Sequence, residues 1–462
     1  MSLTTRPLTI CGLFALSGIL TAVWTIFPEP YLILIPCLLP LAILFLLNQT
    51  FWLVSLFVIF SFFRIHEAFP MIYSFKLPFL LSLGALSALS WHVLISQELK
   101  PFWHPSLTWL SLFWFLVFIG IFFASNPSLA IAKFSSVYWK IIIMTFAITW
   151  LVDSELTIKR ISLMIVIAGI LISTVALYNS ANGIGLVEGT RVTIGRNLES
   201  VLGDPNDLSL VLMFPLAFAI SLFLTKNIGM ARLLGLVCLV CAMMAVIATQ
   251  SRGGLLGSLA IFAVFGQKYI RSKFLLLLIG TIASLVLFYA AGIADRQSGG
   301  ADEEGLGASA MGRLYAWEAA FNMAVENPLT GVGLDNFFAN YFFFSPHWDG
   351  LNHAVHSTWF GVLAETGFLG LVIFVIATVS LLITSLKTLR TLNKNPQFYS
   401  PYLMAAGNAV FAGLIGTNVS GTFLTQGFTW PIYILAALCI ALSRIVQIYS
   451  QNEKQNTPPN TG

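Results

Sequence analysis

The chain has 462 residues, of which 58% are hydrophobic and only 9% charged, and its mean hydropathy is +0.87. Soluble globular proteins carry about 25% charged residues, so this composition excludes a water-soluble domain and points to an integral membrane protein. The net charge of +4 is small and scattered, which argues against a nucleic-acid partner and leaves lysine and arginine as markers of topology.

Apolar segments of about 20 residues, each long enough to cross a bilayer as a helix, recur from end to end. In chain order the expected spans are 8–28, 31–48, 51–65, 77–95, 106–124, 136–152, 161–178, 206–225, 232–250, 253–268, 274–293, 357–386, 401–418 and 430–447. Only Asn48, Gln49 and Thr50 separate the second from the third, so 12–14 transmembrane helices are expected. A barrel requires polar residues at every second position, and stretches such as 141–151 show no such alternation. The fold class is therefore all-α, a polytopic bundle in which each span satisfies its own backbone. One transmembrane domain, residues 1–447, precedes a cytoplasmic tail, 448–462, whose repeated Asn and Pro read as disordered. The first apolar run has only Arg6 before it and no small-residue cleavage site after it, so it is expected to be retained as a helix. The five cysteines (11, 37, 238, 241 and 439) all fall in apolar segments. Cys238 and Cys241 form a CxxC by spacing, which inside a span reads as packing rather than redox or metal chemistry.

With the N-terminus cytoplasmic, Lys159/Arg160, Lys226/Arg232, Lys268/Arg271/Lys273 and Lys387/Arg390/Lys394 all fall on the cytoplasmic side. The opposite face then receives the 179–205 loop, the Ser251-Arg252 turn and a long loop at 294–356. These carry Arg191, Arg196, Arg252, Arg296 and Arg313, where the positive-inside rule disfavours them. An anionic ligand explains such arginines, and so does pairing with a nearby carboxylate; charge alone does not choose.

The long loop holds eight of the 19 acidic residues, Asp295, Asp302, Glu303, Glu304, Glu318, Glu326, Asp335 and Asp349, and three of the six histidines, at 347, 353 and 356. Ionisable groups confined this tightly in so apolar a chain mark the place for chemistry or substrate binding. Residues 295–310 are rich in Gly, Ser and acid, and read as a mobile flap. From Arg313 to Asn327 the recurrence of Leu314, Trp317, Phe321 and Val325 predicts a helix ended by Pro328, lying in the membrane interface with Trp317 as anchor. The aromatic run Phe337 to Phe344 is expected to dip into the same interface.

His356 and Ser357 stand at the mouth of the span that follows, and Gly367 and Gly370 deeper in it suit close helix–helix approach. A histidine there is either a neutral base that accepts a proton or an interfacial side chain that merely hydrogen-bonds. With His353 three residues before it, a zinc-ligand spacing, and His347 or Asp349 to complete the set, it also raises a metal site, against which stand the lack of HExxH and the expectation that His353 and His356 do not share a regular helix. Upstream, Thr249-Gln250-Ser251-Arg252-Gly253-Gly254 joins two spans. Its glycines would leave N–H groups open near a helix start, a phosphate seat completed by Arg252. Gly203-Asp204-Pro205-Asn206-Asp207 reads as a turn and N-cap leading into the 206–225 span.

These segments together resemble the O-antigen ligase family over roughly residues 180–430. His356-Ser357, nine residues, then Gly367-Phe368-Leu369-Gly370 is similar to its His-containing signature. Thr249-Gln250-Ser251-Arg252-Gly253 is similar to its first arginine motif, and Arg313-Leu314-Tyr315-Ala316-Trp317 to its second. The order, the long intervening loop, and Gly195-Arg196 followed by Gly203-Asp204-Pro205-Asn206 agree as well. The resemblance implies a GT-C-like helical fold in the bacterial inner (cytoplasmic) membrane, surrounded by membrane lipids, with its active site facing the periplasm. It implies an inverting, metal-independent transfer that uses no cofactor. The donor would be an undecaprenyl-diphosphate-linked glycan, and the acceptor a hydroxyl, with a lipid A–core sugar favoured. Arg252 and Arg313 would hold the diphosphate and His356 would activate the acceptor hydroxyl. Arg191, Arg196, Trp317 and Ser357 are further substrate-binding candidates, and Glu318 and Asp335 could orient an arginine.

An O-antigen polymerase or a protein O-oligosaccharyltransferase would use the same machinery on a different acceptor. A transporter or flippase is the reading from another class. It calls for ionisable groups at mid-membrane and for repeat symmetry. The 206–225 span has no charge beyond Asp207 at its mouth, and Lys140, the one suggestive exception, sits near a span start from which it could snorkel. A membrane metalloprotease is the remaining alternative.

Overall fold

The computed structural model describes residues 5–26, 34–198, 200–291 and 306–456, and every regular element among them is helical. The N-terminal part comprises α1 (Thr5–Ile26), α2 (Leu34–Asn48), α3 (Thr50–Phe63), α4 (Ile65–Ala68), α5 (Pro70–Tyr73) and α6 (Leu77–Ser90). Next come α7 (Pro105–Gly120), α8 (Pro127–Lys133), α9 (Trp139–Leu151) and α10 (Glu155–Asn182). The middle holds α11 (Pro205–Val211), α12 (Met213–Leu224), α13 (Met230–Ala248), α14 (Arg252–Gly266) and α15 (Lys273–Ala290). The last part holds α16 (Leu306–Glu326), α17 (Phe337–Phe344), α18 (Thr358–Lys394), α19 (Pro401–Gly421) and α20 (Trp430–Asn456). Helix starts follow local chemistry. Proline occupies the first turn of α7, α8, α11 and α19, where its missing N–H is not needed. Ser154 and Thr157 close a capping box on α10.

The chain is a multi-pass membrane protein. Nine helical runs among the described residues are long and apolar enough to cross a bilayer, and a tenth is the Leu41–Asn48/Thr50–Phe63 pair, bent by 73°. The remaining expected spans fall on α1, α14 and α15, helices of 22, 15 and 18 residues. At 1.5 Å per residue the 15 residues of α14 reach about 22 Å, short of a hydrocarbon core of about 30 Å.

The continuous run α11–α12 is the centre of the bundle, with 83% of its apolar window buried and α10, α13, α14 and α19 packed around it. Where α14 crosses α19, Gly257 and Gly416 let the backbones meet; a Cβ on Gly416 would stand 2.3 Å from Ile261 Cγ1.

The bundle separates the two charge sets along α19. At its start Lys159 lies 4.7 Å over the ring of Tyr402, whose hydroxyl donates to the Ile228 carbonyl, and Lys268 donates to Asn408. Just past its other end, the Leu424 carbonyl accepts from Thr358 Oγ1 at 2.7 Å, and Phe423 and Leu424 pack on Gly253. That second end carries the Arg252 turn and the residues around His356.

Several boundaries shift. Residues 306–310, expected to be part of the flap, belong to α16; residues 295–305 lie outside the described ones. Helix α16 is not an isolated interfacial helix. Ala316, Ala319, Ala320 and Met323 form a face of mostly small side chains that packs it against α17 and α18, with Val332, Phe337, Tyr341 and Ala364 in the same cluster. Helix α17 splits: Phe337 and Tyr341 face that cluster, while Phe338, Phe342 and Phe343 are exposed. Helix α20 continues to Asn456, so residues 448–456 are helical rather than a disordered tail, and 457–462 lie outside the described residues.

Candidate active site

Three helix N-termini, those of α11, α14 and α18, are drawn together by the segment that follows α19. Gly254 of α14 packs on Ser209 of α11, Gly253 on Phe423 and Leu424, and Gly361 of α18 faces Thr425. Helix starts carry the positive end of the macrodipole, so their convergence favours an anion.

On α11, Asp204 caps as its sequence predicts, Oδ1 accepting from the N–H of Asn206 at 2.7 Å and of Asp207 at 3.3 Å. On α14, Arg252 is the first helical residue and adds its charge to the positive helix end. The glycines beside it do not form the open phosphate seat expected of them. Ser251, fully buried, caps Gly254 N–H at 3.3 Å, and both glycines are buried because side chains there would strike Ser209 and Phe423.

Arg191 and Arg196, equivalent by sequence, part company. Arg191 is 3% exposed, Nε donating to the Thr249 carbonyl at 3.0 Å and one terminal nitrogen to Asn206 Oδ1 at 3.0 Å. A third contact is to Glu188 Oε1 at 3.6 Å. It therefore ties the Arg252 turn to the α11 turn. Arg196 is exposed and lines a separate groove of about 790 Å³ together with Glu67, Tyr178 and Asn179.

His356 precedes the N-cap of α18 and is half-buried, with a left-handed φ of 43°. That backbone is uncommon for a residue with a side chain and accumulates at functional sites; Gln250 (φ 51°), beside Arg252, shares it. Burial lowers the pKa of His356 below its ordinary 6.5, and the positive charges of Arg313 and Arg191 lower it further, against the raising effect of Asp204. The imidazole is thus held neutral at neutral pH, in electrostatic reach of two arginines.

Two further candidates turn out to be supports. Trp317 is partly buried. Its Nε1–H donates to the Val355 carbonyl at 3.1 Å, and its ring stacks on Phe360, centroids 4.9 Å apart and planes 8° apart. Ser357 is 1% exposed and caps α18, its Oγ accepting from Phe360 N–H at 3.5 Å, so it faces the helix rather than a substrate.

The carboxylates proposed to orient arginines hold other partners. Glu318 lies 3.4 Å from His347, which also stacks on Tyr315, and Asp335 lies 3.2 Å from Lys133. His353 pairs with Asp349 at 2.8 Å. The imidazole hydrogen bond holds the Asp349 pKa below its ordinary value despite the opposing effect of desolvation. The histidines are thus shared between two separate pairs and His356. No group of three His, Cys, Asp or Glu with metal-binding geometry occurs among the described residues.

What fixes the loop is a pair of residues that sequence reasoning passed over. Glu365, two residues before Gly367, accepts from the N–H of Asp335 at 2.9 Å and from that of Phe337. Lys133 grips Asp335 from the end of α8. Between them the 328–336 segment is stitched across Ser125, Asn126, Ala364 and Phe368 by backbone and Asn336 hydrogen bonds. Gly367 breaks α18 at φ 70°, ψ −174°, and a Cβ there would stand 2.5 Å from the Pro328 carbonyl. The GxxG glycine thus admits the loop rather than a neighbouring helix. Both oversights had a signal. Lys133 lies just before an expected span on the arginine-bearing face, and Glu365 is a carboxylate inside one.

Residues 236–375 match the family model Wzy_C, O-Antigen ligase. No curated protein matches the chain. The matched stretch contains Arg252, Arg313, His356 and the Gly367–Gly370 motif and leaves out Lys133, Arg191 and Arg196. The Arg252 turn, the Arg313 helix and the mouth of α18 all lie inside the one stretch of this all-helical, multi-pass bundle, residues 236–375, that is similar to the O-antigen ligase family.

Proposed function

We propose that the protein transfers a glycan from undecaprenyl diphosphate to an acceptor hydroxyl, with a lipid A–core sugar as the favoured acceptor. The reaction takes place on the periplasmic face of the bacterial inner membrane. Members of the family are glycosyl-transferring enzymes. The observation that carries it is His356, held neutral by burial and by Arg313 and Arg191 at the meeting point of three helix N-termini.

The acceptor oxygen attacks the anomeric carbon, and the bond from that carbon to the diphosphate oxygen breaks with its electron pair leaving on the diphosphate. The hydroxyl proton passes to His356, which a neutral imidazole can accept. Negative charge grows on the leaving group, where Arg252 and Arg313 stabilise it without a metal. Direct displacement inverts the anomeric centre. Arg191 serves by holding the Arg252 and Asp204 turns in register. Clustered ionisable groups at one end of the bundle also favour transfer over transport, which calls for them at mid-membrane.

The test is transfer by the purified, reconstituted protein from undecaprenyl-diphosphate glycan to lipid A–core, followed by mass shift of the acceptor. His356→Ala and Arg313→Ala are expected to abolish it, and excess chelator to leave it unchanged. Full transfer by either variant removes the role given to that residue. Transfer to a growing polymer or a protein, with lipid A–core inert, replaces the acceptor.

A further inference from the structure

One carboxylate stands next to this machinery and is not used by it. Asp207, one turn beyond Asp204, borders a cavity of about 130 Å³ together with Arg64, Lys133, Thr425, Thr429 and Trp430. Among the described residues its carboxylate accepts no hydrogen bond, and its electrostatic neighbours are Asp204 and Lys133. A half-buried carboxylate without protein donors takes its donors from a ligand or from water.

The cavity is not an anion seat. Arg64 Nη1 lies 2.7 Å from Glu67 and Lys133 Nζ 3.2 Å from Asp335, so both cations are already balanced by carboxylates. What remains are acceptors, the hydroxyls of Thr425 and Thr429, and the aromatic surfaces of Phe428 and Trp430. An uncharged ligand with hydroxyls along one edge and a C–H face matches that set, because polarised C–H groups pack well on the negative face of an aromatic ring. The volume is that of roughly four waters, so the cavity takes the edge of a single ring and not an oligosaccharide.

Its location ties it to the reacting groups. Thr425 faces Gly361 of α18, its neighbour Leu424 packs on Gly253 and accepts from Thr358, and Asp207 sits on the helix capped by Asp204. We propose that this cavity is a sugar subsite, in which Asp207 accepts hydrogen bonds from the hydroxyls of one pyranose ring while Trp430 packs on its face. That the ring belongs to the donor glycan or to the acceptor rests on the function proposed above; that the cavity binds a sugar does not.

Two arms test it. Saturation-transfer difference NMR on the detergent-solubilised full chain, with free glucose, galactose and N-acetylglucosamine as probes, should show transfer to the ring protons of at least one sugar. Asp207→Asn and Trp430→Leu should each weaken that signal at least severalfold, with monodispersity and melting temperature checked for both. Asp207→Asn keeps the shape and removes a charge without protein donors, so it should fold as well as the parent. No signal with any probe, or signals that both variants leave unchanged, overturns the subsite. In the transfer assay Asp207→Asn should raise KM for one substrate about tenfold, the worth of a hydrogen bond to a charged group, with kcat nearly unchanged. A rise for acceptor assigns the ring to the acceptor, and a rise for donor to the donor; a rise for neither overturns the proposal. If the parent protein transfers nothing, the proposed function falls while the NMR arm still decides the subsite.

Discussion

Trp317→Phe should slow transfer about fivefold without altering substrate affinity, and Trp317→Ala about thirtyfold. His356 sits at φ 43°, a left-handed backbone that costs a residue with a Cβ roughly 1–2 kcal/mol. What holds it there includes the Trp317 Nε1–H bond to the carbonyl of Val355, the residue before it, and the stack of Trp317 on Phe360, one turn into α18. The hydrogen bond is worth about 1 kcal/mol and the stack about 1 kcal/mol more. Their sum is close to the strain they oppose, so losing both lets the backbone relax and carries the imidazole away from the acceptor. Phenylalanine keeps the stack and loses the bond; about 1 kcal/mol converts to about fivefold in the fraction of correctly set His356, and about 2 kcal/mol to about thirtyfold. The assay is single-turnover transfer at saturating donor and acceptor, with KM for each substrate and the melting temperature measured beside it. Because Trp317 contacts Val355 and Phe360, the loss must appear in the turnover rate. A Trp317→Ala variant with the parent's kcat, or one whose defect is confined to KM, refutes the positioning role.

The pH profile offers a second test. The lowered pKa of His356 places the acid limb of kcat below pH 6.5, because the base is lost only when the imidazole protonates. Arg313→Gln removes a charge that lowers this pKa, so whatever residual activity survives should lose rate at a higher pH; a limb shifted to lower pH contradicts the assignment. Glu365→Ala leaves the N–H groups of Asp335 and Phe337 without their carboxyl acceptor. It should destabilise the protein by about 3 kcal/mol in denaturant titration and open the 328–344 segment to protease. Ser357→Ala should cost about 1 kcal/mol of stability through the lost α18 cap and retain most of the turnover, whereas a loss as deep as that of His356→Ala would return Ser357 to the substrate side.

Much of the helical order follows from local chemistry and was legible in the chain. Apolar length sets the spans, and proline, serine or asparagine at a first turn sets many of their starts, so the expected and observed limits of the α11–α12 run, α13 and α19 agree within three residues, as does the start of α7. The cap at Asp204 is equally local, since side chain and N–H groups lie within three residues. Where α14, at 15 residues, falls short of a span, hydropathy alone was misleading: an apolar run tells of a nonpolar surrounding, not of how much of the run stays straight.

By itself the amino-acid sequence determined that this protein is a multi-pass helical membrane protein, and which segments carry its ionisable groups. Only the tertiary structure decided between groups of the same kind. Arg191 and Arg196 are both loop arginines, yet one reaches Thr249, 58 positions away, while the other lines a different groove. Trp317 and Ser357, both substrate candidates by sequence, are fastened to Val355 and Phe360. Lys133 and Glu365 gain meaning from Asp335, which comes from a third segment. The physical reason is common to all of them. Spans and caps depend on neighbours within one turn, whereas a site in a helical bundle is assembled from helix ends that only long-range packing brings together.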